Sequence, residues 1–506
     1  MNLIRHKIFY TSGYFGIRAK ILTLIIFSFQ FLFIKAQQSS TLYFMYTLPE
    51  SNLLNPAVQI PCKVFVGMPL LSSIHLNYSN TFFSYNDLIS HSANDSLKIN
   101  ANYFLTKPGT RQDIETEFQI SLLNFGFRYK EYYFNFNLSD KMDLGLFYPT
   151  NWFQFILKGN SNYAGQTLSL GGAGVYGNYY REWAFGVSKI IDEKFTFGVK
   201  AKLLFGKANL TTSQSDLGLN TALPVFYLTG TSKFTINASP ISLKIDPNGV
   251  LKSVDLPGSN DPLSLLLNRQ NKGFAADFGV IYKIDNKITL SGSVLDLGFI
   301  HWKYAPEKIN ESGSFVYKGF VVNSKTFSIS NFQQIIDSLK SSYKFSTSAS
   351  AYNTFLSPIM YLGGTYNFTR SINAGLMARN ELYHGKLLTS VSASVNAWYS
   401  KYFAASLSWS YINNSLDNLG AGISMRTPAF GLYVISDNVY GAFKYKSARF
   451  LNIRFGINFL FGCSSGVNIK KMLAKKGCEI YHESDEKNLK FNKWKERLKK
   501  LKKKKK

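Results

Sequence analysis

Polar and apolar side chains alternate along many segments of the chain. From residue 390 to 397, Ser or Asn occupies the even positions, and Val or Ala occupies the odd ones. The same alternation runs through 131–138, 195–203, 403–411, 419–426 and 451–461. A period of two is typical of β-strands with one polar and one apolar face. The pattern therefore predicts a chain made mostly of strands.

The length of these runs favours a membrane barrel over a soluble sandwich. They span about nine to twelve residues, as a tilted strand crossing a bilayer requires, whereas strands of soluble sheets average about five or six. An open sheet edge in hydrocarbon would leave backbone groups without hydrogen bonds, so the sheet must close. We count 17 candidate segments and, because even numbers prevail, predict an all-β, closed antiparallel transmembrane β-barrel of about 14 strands, within a range of 12 to 16.

Polar links and longer excursions separate the predicted strands. Short turns are expected at 139–141, 192–194, 285–287 and 413–415. Two long segments, 207–272 and 300–342, interrupt the hairpin rhythm, and residues 331–339 have the pattern of a short helix. Such segments are either surface loops or plug-like excursions that cap the lumen.

The two ends of the chain carry most of its charge. The sequence has 57 Lys and Arg against 30 Asp and Glu, a net charge of +27. Residues 1–36 combine a basic lead with the apolar run 21–34, which is short for a spanning helix, so we predict a signal peptide cleaved between Ala36 and Gln37. An uncleaved N-terminal anchor is the alternative. The predicted barrel then occupies 37–463.

The second basic end is a Lys-rich tail over 464–506. Leu489, Trp494, Leu498 and Leu501 fall on one face of a possible short basic helix. Such a helix suits anionic lipid or an anionic envelope polymer, and a solvated flexible tail is the alternative. Nucleic acid is not an expected partner.

Catalytic, cofactor and metal motifs are absent from the sequence. The six His residues show no ligand spacing, and no phosphate loop or nucleophile elbow is found. The glycine-rich run 171–177 lies in an alternating region, so we interpret it as strand glycine. We therefore predict no enzyme activity, no cofactor and no metal.

The cysteines allow one structural hypothesis. Cys62 precedes the first predicted strand and Cys463 follows the last. In an even-stranded barrel these ends meet at one rim, so a disulfide there would close the seam. Free thiols, or a bridge from Cys463 to Cys478 within the tail, remain open.

The segment Leu48–Pro69 resembles the opening of an uncharacterised family of outer-membrane barrels from Bacteroidota. Within it, Asn55-Pro56-Ala57 is similar to a triplet in FadL-type fatty-acid transporter barrels and in PorV-type barrels of type IX secretion. The resemblance implies a barrel of the cell outer membrane, in contact with its lipid.

Two functions follow as expectations. The first is a channel or transporter for small hydrophobic molecules. The alternative is a non-transporting envelope scaffold that binds envelope proteins of the secretion or gliding machinery. An outer-membrane enzyme is a third class, and no catalytic constellation supports it.

Overall fold

The computed structural model describes residues 39–91, 97–100, 103, 111–159, 161–223, 227–247, 249, 251–255, 262–317, 344–369, 371–399, 402–412, 415–427 and 429–463. Strands dominate. In chain order they are β1 Val64–Gly67, β2 Ile74–Asn80, β3 Ile89–His91, β4 Leu97–Ile99, β5 Arg111–Tyr129, β6 Tyr132–Pro149, β7 Thr167–Ser169, β8 Gly174–Ile190, β9 Phe195–Thr221, β10 Leu228–Ser239, β11 Ser242–Ile245, β12 Leu251–Asp255, β13 Asn271–Lys283, β14 Ile288–Trp302, β15 Glu307–Tyr317, β16 Phe345–Ser348, β17 Tyr352–Phe355, β18 Ile359–Asn367, β19 Ile372–Tyr383, β20 Lys386–Tyr399, β21 Phe403–Ile412, β22 Ser415–Arg426, β23 Phe430–Ser436 and β24 Phe450–Phe461.

The helices of the described residues are short. They are α1 Ser40–Phe44, α2 Tyr85–Leu88, α3 Asn151–Lys158, α4 Pro262–Leu267 and α5 Val439–Phe443, with 3-10 turns at Pro49–Leu53, Ser161–Tyr163 and Tyr445–Ser447. Among the described residues, no helix has both the length and the hydropathy that a membrane-spanning helix needs.

The main sheet is antiparallel and closes on itself. β1 and β2 together form one wall position, which pairs with β24 on one side and with β5 on the other. The order around the wall is β1/β2, β5, β6, β8, β9, β13, β14, β17/β18, β19, β20, β21, β22, β23 and β24. The predicted closed antiparallel barrel of 14 strands is confirmed.

The two faces of the wall follow the sequence alternation. Ser390 and Ser392 of β20 are buried in the lumen, at 0% and 1% exposure, whereas Val395 on the same strand is 53% exposed. Leu407 and Trp409 of β21 also lie on the outer surface. The exterior is therefore an apolar band of the kind that lipid favours.

Most of the short connections lie at the rim that also holds Cys62 and Cys463, whereas the two-residue turn between β19 and β20 lies at the opposite rim. The predicted turns at 192–194 and 285–287 join β8 to β9 and β13 to β14. Residues 413–414 of a third predicted turn fall outside the described residues. The long connections lie at the opposite rim.

The turn predicted at 139–141 is wrong. These residues lie inside β6, which runs unbroken from Tyr132 to Pro149. Asp140 forms an ion pair with Arg181 of β8 at 2.7 Å, and Lys141 forms one with Glu182 at 2.8 Å. Cross-strand charge pairs stabilise a polar run that by itself indicates a turn.

Much of the excursion 207–272 is strand. β9 continues to Thr221 beyond the neighbouring wall and pairs there with β10, which in turn pairs with β15. The upper part of β9, β10 and β15 thus extends the sheet past the barrel, while β11 and β12 form a separate hairpin, and no described residue of 207–272 or 300–342 lines the central cavity. The helix predicted at 331–339 and the tail from 464 lie outside the described residues.

Candidate functional site

A segment that precedes the first strand fills one end of the lumen. Residues 39–61, here called the N-terminal plug, include α1 and the 3-10 turn Pro49–Leu53. Tyr43 and Phe44 are 1% and 0% exposed. Both pack against wall glycines: a Cβ at Gly375 would overlap the Phe44 ring, and one at Gly363 would meet the Tyr43 ring at 2.7 Å.

Hydrogen bonds tie the plug to several wall strands. The Thr41 amide donates to Asp437 Oδ1 at 2.8 Å, and Thr41 Oγ1 lies 2.7 Å from Ser408 Oγ. At the other end of the plug, Ser293 Oγ donates to the Leu54 carbonyl at 2.6 Å. Because these partners lie on β21, on β14 and directly after β23, the plug is fixed across the lumen rather than along one wall.

The Asn55-Pro56-Ala57 triplet docks the plug onto β9, β13 and β14. Asn55 Nδ2 donates to the Val280 and Gly292 carbonyls, both at 3.3 Å, and Asn55 Oδ1 accepts from the Ala57 amide at 2.9 Å. A Cβ at Gly198 of β9 would overlap the Pro56 carbonyl. The triplet is therefore a docking element of the plug.

Glu50 is an ionisable side chain buried within the plug. Its Oε1 accepts from Asn458 Nδ2 at 2.8 Å, while its Oε2 has no hydrogen-bond partner among the described residues. Burial raises the pKa of the Glu50 carboxyl to about 7, although the Asn458 hydrogen bond opposes this shift. Protonation of Glu50 therefore favours the docked plug.

A central cavity of about 140 Å³ lies between the plug and a layer of aromatic side chains. Leu53 and Leu54 of the plug bound it on one side. Tyr176 and Tyr383, which pack with Phe147 and Leu388 across the lumen, bound it toward the long loops. The apolar and aromatic lining includes Phe118, Tyr180, Leu295, Leu356, Ile359 and Tyr361.

Charged side chains form ion pairs around the same cavity. Lys202 Nζ lies 2.7 Å from Asp277 and 2.6 Å from Asp296. Arg379 pairs with Glu381 at 2.9 Å on the opposite wall. Lys200 Nζ instead donates to the Asn52 carbonyl of the plug at 2.6 Å. The cavity therefore combines apolar surface with fixed charges.

The structure joins Cys62 and Cys463 in a disulfide at the rim, with a Cα–Cα distance of 4.1 Å. Cys62 also follows directly on the plug, so the bridge fixes the plug's base as well as the β1–β24 seam. Cys478, Ala36 and Gln37 lie outside the described residues.

The described residues contain no group of three or more His, Cys, Asp or Glu side chains with the geometry of a metal site. His75 lines the cavity, whereas His384 lies in the turn between β19 and β20. Burial and the nearby Arg111 lower the pKa of His384 to about 4. These two His residues therefore do not form a joint ligand set.

Residues 56–437 match a family of unknown function, DUF5723. The chain belongs to this family. No curated protein sequence matches it. Among solved structures, it is similar to a Pseudomonas aeruginosa FadL homologue, with 8% identity, a TM-score of 0.41 and coverage of 85% of this chain and 100% of that chain.

Two toluene transporters are also similar to the chain. TbuX of Ralstonia pickettii has 9% identity and a TM-score of 0.38, with coverage of 82% of this chain and 94% of that chain. TodX of Pseudomonas putida has 8% identity and a TM-score of 0.35, with coverage of 84% and 97%.

Sequence reasoning missed the plug and the ion-pair network. The segment Leu48–Pro69 was singled out by resemblance, yet the burial of its residues 48–61 in the lumen has no local signal beyond the apolar residues before β1. Asp277 and Asp296 lie in the lumen, where both line the cavity. Their shared partner Lys202 is nearly 100 residues away from Asp296 in sequence, and only barrel closure brings the three together.

Proposed function

We propose that the protein is an outer-membrane barrel that transports small, largely apolar molecules through its central cavity, with the N-terminal plug moving to let them pass. The observation that carries the proposal is a cavity whose lining combines apolar and aromatic side chains with charged ones, enclosed inside a lipid-compatible wall and bounded by a segment separate from that wall. No catalytic role is assigned to any lining residue.

The plug is suited to move as a unit. Its contacts with the wall are hydrogen bonds and van der Waals contacts, whereas each wall strand is held by continuous ladders on both sides. Displacement of the plug therefore leaves the barrel closed. The disulfide at Cys62 keeps the displaced segment attached to the rim.

The test is to lock the plug. Thr41 and Ser408 have side-chain oxygens 2.7 Å apart, so the pair T41C and S408C places two thiols within bridging reach. In vesicles containing lipopolysaccharide, we expect the oxidised double variant to lose protein-dependent uptake of a small aromatic solute, and we expect reductant to restore it.

Two controls accompany this test. The single variant T41C cannot bridge to the wall and should transport in both redox states. The unmodified protein with and without reductant reports the effect of opening the native disulfide. Equal uptake by locked and reduced protein contradicts the moving plug. If the double variant, the single variant and the unmodified protein all fail to take up solute in either redox state, transport is contradicted and the envelope-scaffold function is favoured.

A further inference from the structure

One wall of the cavity carries carboxylates that form no ion pair with any of the described residues. Glu117 of β5 lies directly opposite Asp143 of β6, and Glu115 lies two residues away on the same face of β5. All three line the cavity. Within the described part of the chain, none of them has a basic side chain within 4.0 Å. The wall is therefore locally acidic.

The basic groups around the cavity are engaged elsewhere. Lys141, the nearest along β6, pairs with Glu182 at 2.8 Å, and Lys202 pairs with Asp277 and Asp296. Arg379 pairs with Glu381, and Arg454 Nη1 donates to Ser73 Oγ at 3.1 Å.

An in-register polar row surrounds the two facing carboxylates. Asn77 of β2 lies opposite Glu117, and Asn178 of β8 lies opposite Asp143. Asn77 is 2% exposed, and neither atom of its side-chain amide has a hydrogen-bond partner among the described residues. His75, two residues before Asn77 and 4% exposed, likewise leaves Nε2 without a partner. His75 lines the cavity beside the carboxylates, and buried polar groups without partners are rare, so its free Nε2 points to a ligand in the cavity.

Repulsion between two facing carboxylates is relieved by a proton shared between them or by a positive charge placed between them. Directly opposed cross-strand residues have Cβ atoms roughly 4.5–5.5 Å apart, and like charges at that spacing are destabilising. An ammonium group offers three donors, enough for Glu117, Asp143 and one further acceptor beside them. Glu115 adds further negative potential beside them.

We propose that this row binds the ammonium group of a small amphipathic amine, whose apolar body packs on the aromatic and aliphatic lining. This proposal rests on the proposed function, because it takes the cavity as the place through which the solute passes. It adds the chemical class of that solute. A metal ion is a poorer fit because the described residues contain no converging group of three metal ligands. The cavity of about 140 Å³ lies below the roughly 300–1,000 Å³ of pockets for drug-sized ligands, so the amine must be small.

The aromatic layer supports this position for the amine. The Tyr383 hydroxyl reaches over Gly145, where a Cβ would come within 2.7 Å of it, and Gly145 lies opposite Glu115. The hydroxyl and the aromatic rings of Tyr176 and Tyr383 thus lie beside the acidic wall. Aromatic faces attract cations, so the layer and the carboxylates favour the same ligand charge.

The test is equilibrium binding to the full chain in detergent, after prolonged equilibration, with three probes of similar shape. Phenethylamine is the cation, phenethyl alcohol is neutral and 3-phenylpropionate is the anion. We expect the amine to bind most tightly. Glu117→Gln and Asp143→Asn should each weaken amine binding by roughly 10-fold or more, as expected for the loss of a charge-assisted hydrogen bond, and should leave alcohol binding unchanged.

Glu193→Gln is the matched control because Glu193 is exposed in the turn between β8 and β9. Heat stability gives a second readout. Removing one of two facing carboxylates should raise the stability of the ligand-free barrel while weakening amine binding, whereas a merely structural carboxylate would lose stability when neutralised. The two single variants also guard against a folding failure in either one.

Each result decides the proposal. Equal binding of the amine and the alcohol, or amine binding that neither variant alters, overturns it. So does displacement of the amine by Ca²⁺ alone at equal concentration, which would assign the row to a metal. Charge-selective binding without vesicle uptake supports the amine site and counts against transport. If the three probes are taken up equally, and Glu117→Gln and Asp143→Asn do not change uptake, transport is supported and the amine site is overturned.

Discussion

Gly198→Ala should loosen the N-terminal plug without breaking the barrel. Gly198 lies in β9 beneath the Asn55-Pro56-Ala57 triplet, and an added Cβ would overlap backbone atoms of Pro56 and Ala57. Backbone cannot swing aside as a flexible side chain does, so the plug must shift as a whole. Gly364→Ala is the matched control because the Cβ there would make only ordinary contacts, the nearest at 3.4 Å from Leu290.

The expected magnitude follows from the cost of overpacking. Inserting a methyl group into a filled space typically costs about 1–3 kcal/mol. The added methyl group clashes only while the plug is docked. The equilibrium therefore shifts toward the displaced plug by about 5- to 150-fold, since each 1.4 kcal/mol is a factor of ten. The wall ladders of β9 with β8 and β13 remain intact in both states.

Thiol labelling measures this equilibrium. Val58→Cys places a thiol at a plug position that is 2% exposed, in a background where Cys478→Ser removes the tail thiol. With Cys62 and Cys463 oxidised, the only reactive thiol is at position 58. We expect Gly198→Ala to accelerate maleimide labelling by about 5- to 150-fold and Gly364→Ala to leave it unchanged. Equal labelling rates for the two variants would refute the close docking of the triplet on β9.

Three further predictions concern the plug, the seam and the leader. Burial raises the pKa of Glu50 to about 7, above its unfolded value near 4.5. The free energy that holds the plug docked should therefore fall by up to about 3 kcal/mol as pH rises from 4.5 through 7. Thiol labelling across this pH range should show the change, and Glu50→Gln should flatten it. Non-reducing peptide mapping should recover Cys62 joined to Cys463, and replacing both by Ser should lower heat stability by about 2–4 kcal/mol; recovery of Cys62 as a free thiol contradicts the bridge. Mass spectrometry of the protein from outer membranes should find Gln37 at the N-terminus, after cleavage at Ala36, and a retained leader would indicate an anchor.

The periodicity of the sequence was sufficient to predict the strands of the barrel wall. Alternation at 390–397 identifies both the strand and its lumen face, because a pleated strand places successive side chains on opposite sides. The same local rule fails at 139–141, where a polar run resembles a turn. Its partners Arg181 and Glu182 are 41 residues away in sequence, so the pairing that stabilises it cannot be read locally.

The candidate site could be predicted only in part. Cys62 and Cys463 follow from the topology of an even-stranded barrel, so sequence reasoning placed them together. The lining of the cavity comes from the plug and from many wall strands. Nothing in the local sequence of one ion-paired strand indicates which other strand carries its partner. The plug could not be predicted for a different reason: its residues mix apolar and polar types, as many loop residues do, and its position depends on the glycine-lined space that the closed wall provides.

Hydrogen exchange of the plug in proteoliposomes tests the central claim most directly. In the absence of solute, backbone amides of residues 40–58 should be protected to nearly the same degree as wall strands such as β20. When a transported aromatic solute is added, exchange in this segment should rise while that of the wall stays constant. Rapid exchange of residues 40–58 from the outset, or unchanged exchange while solute crosses the membrane, would contradict a plug that occupies the lumen and moves for transport.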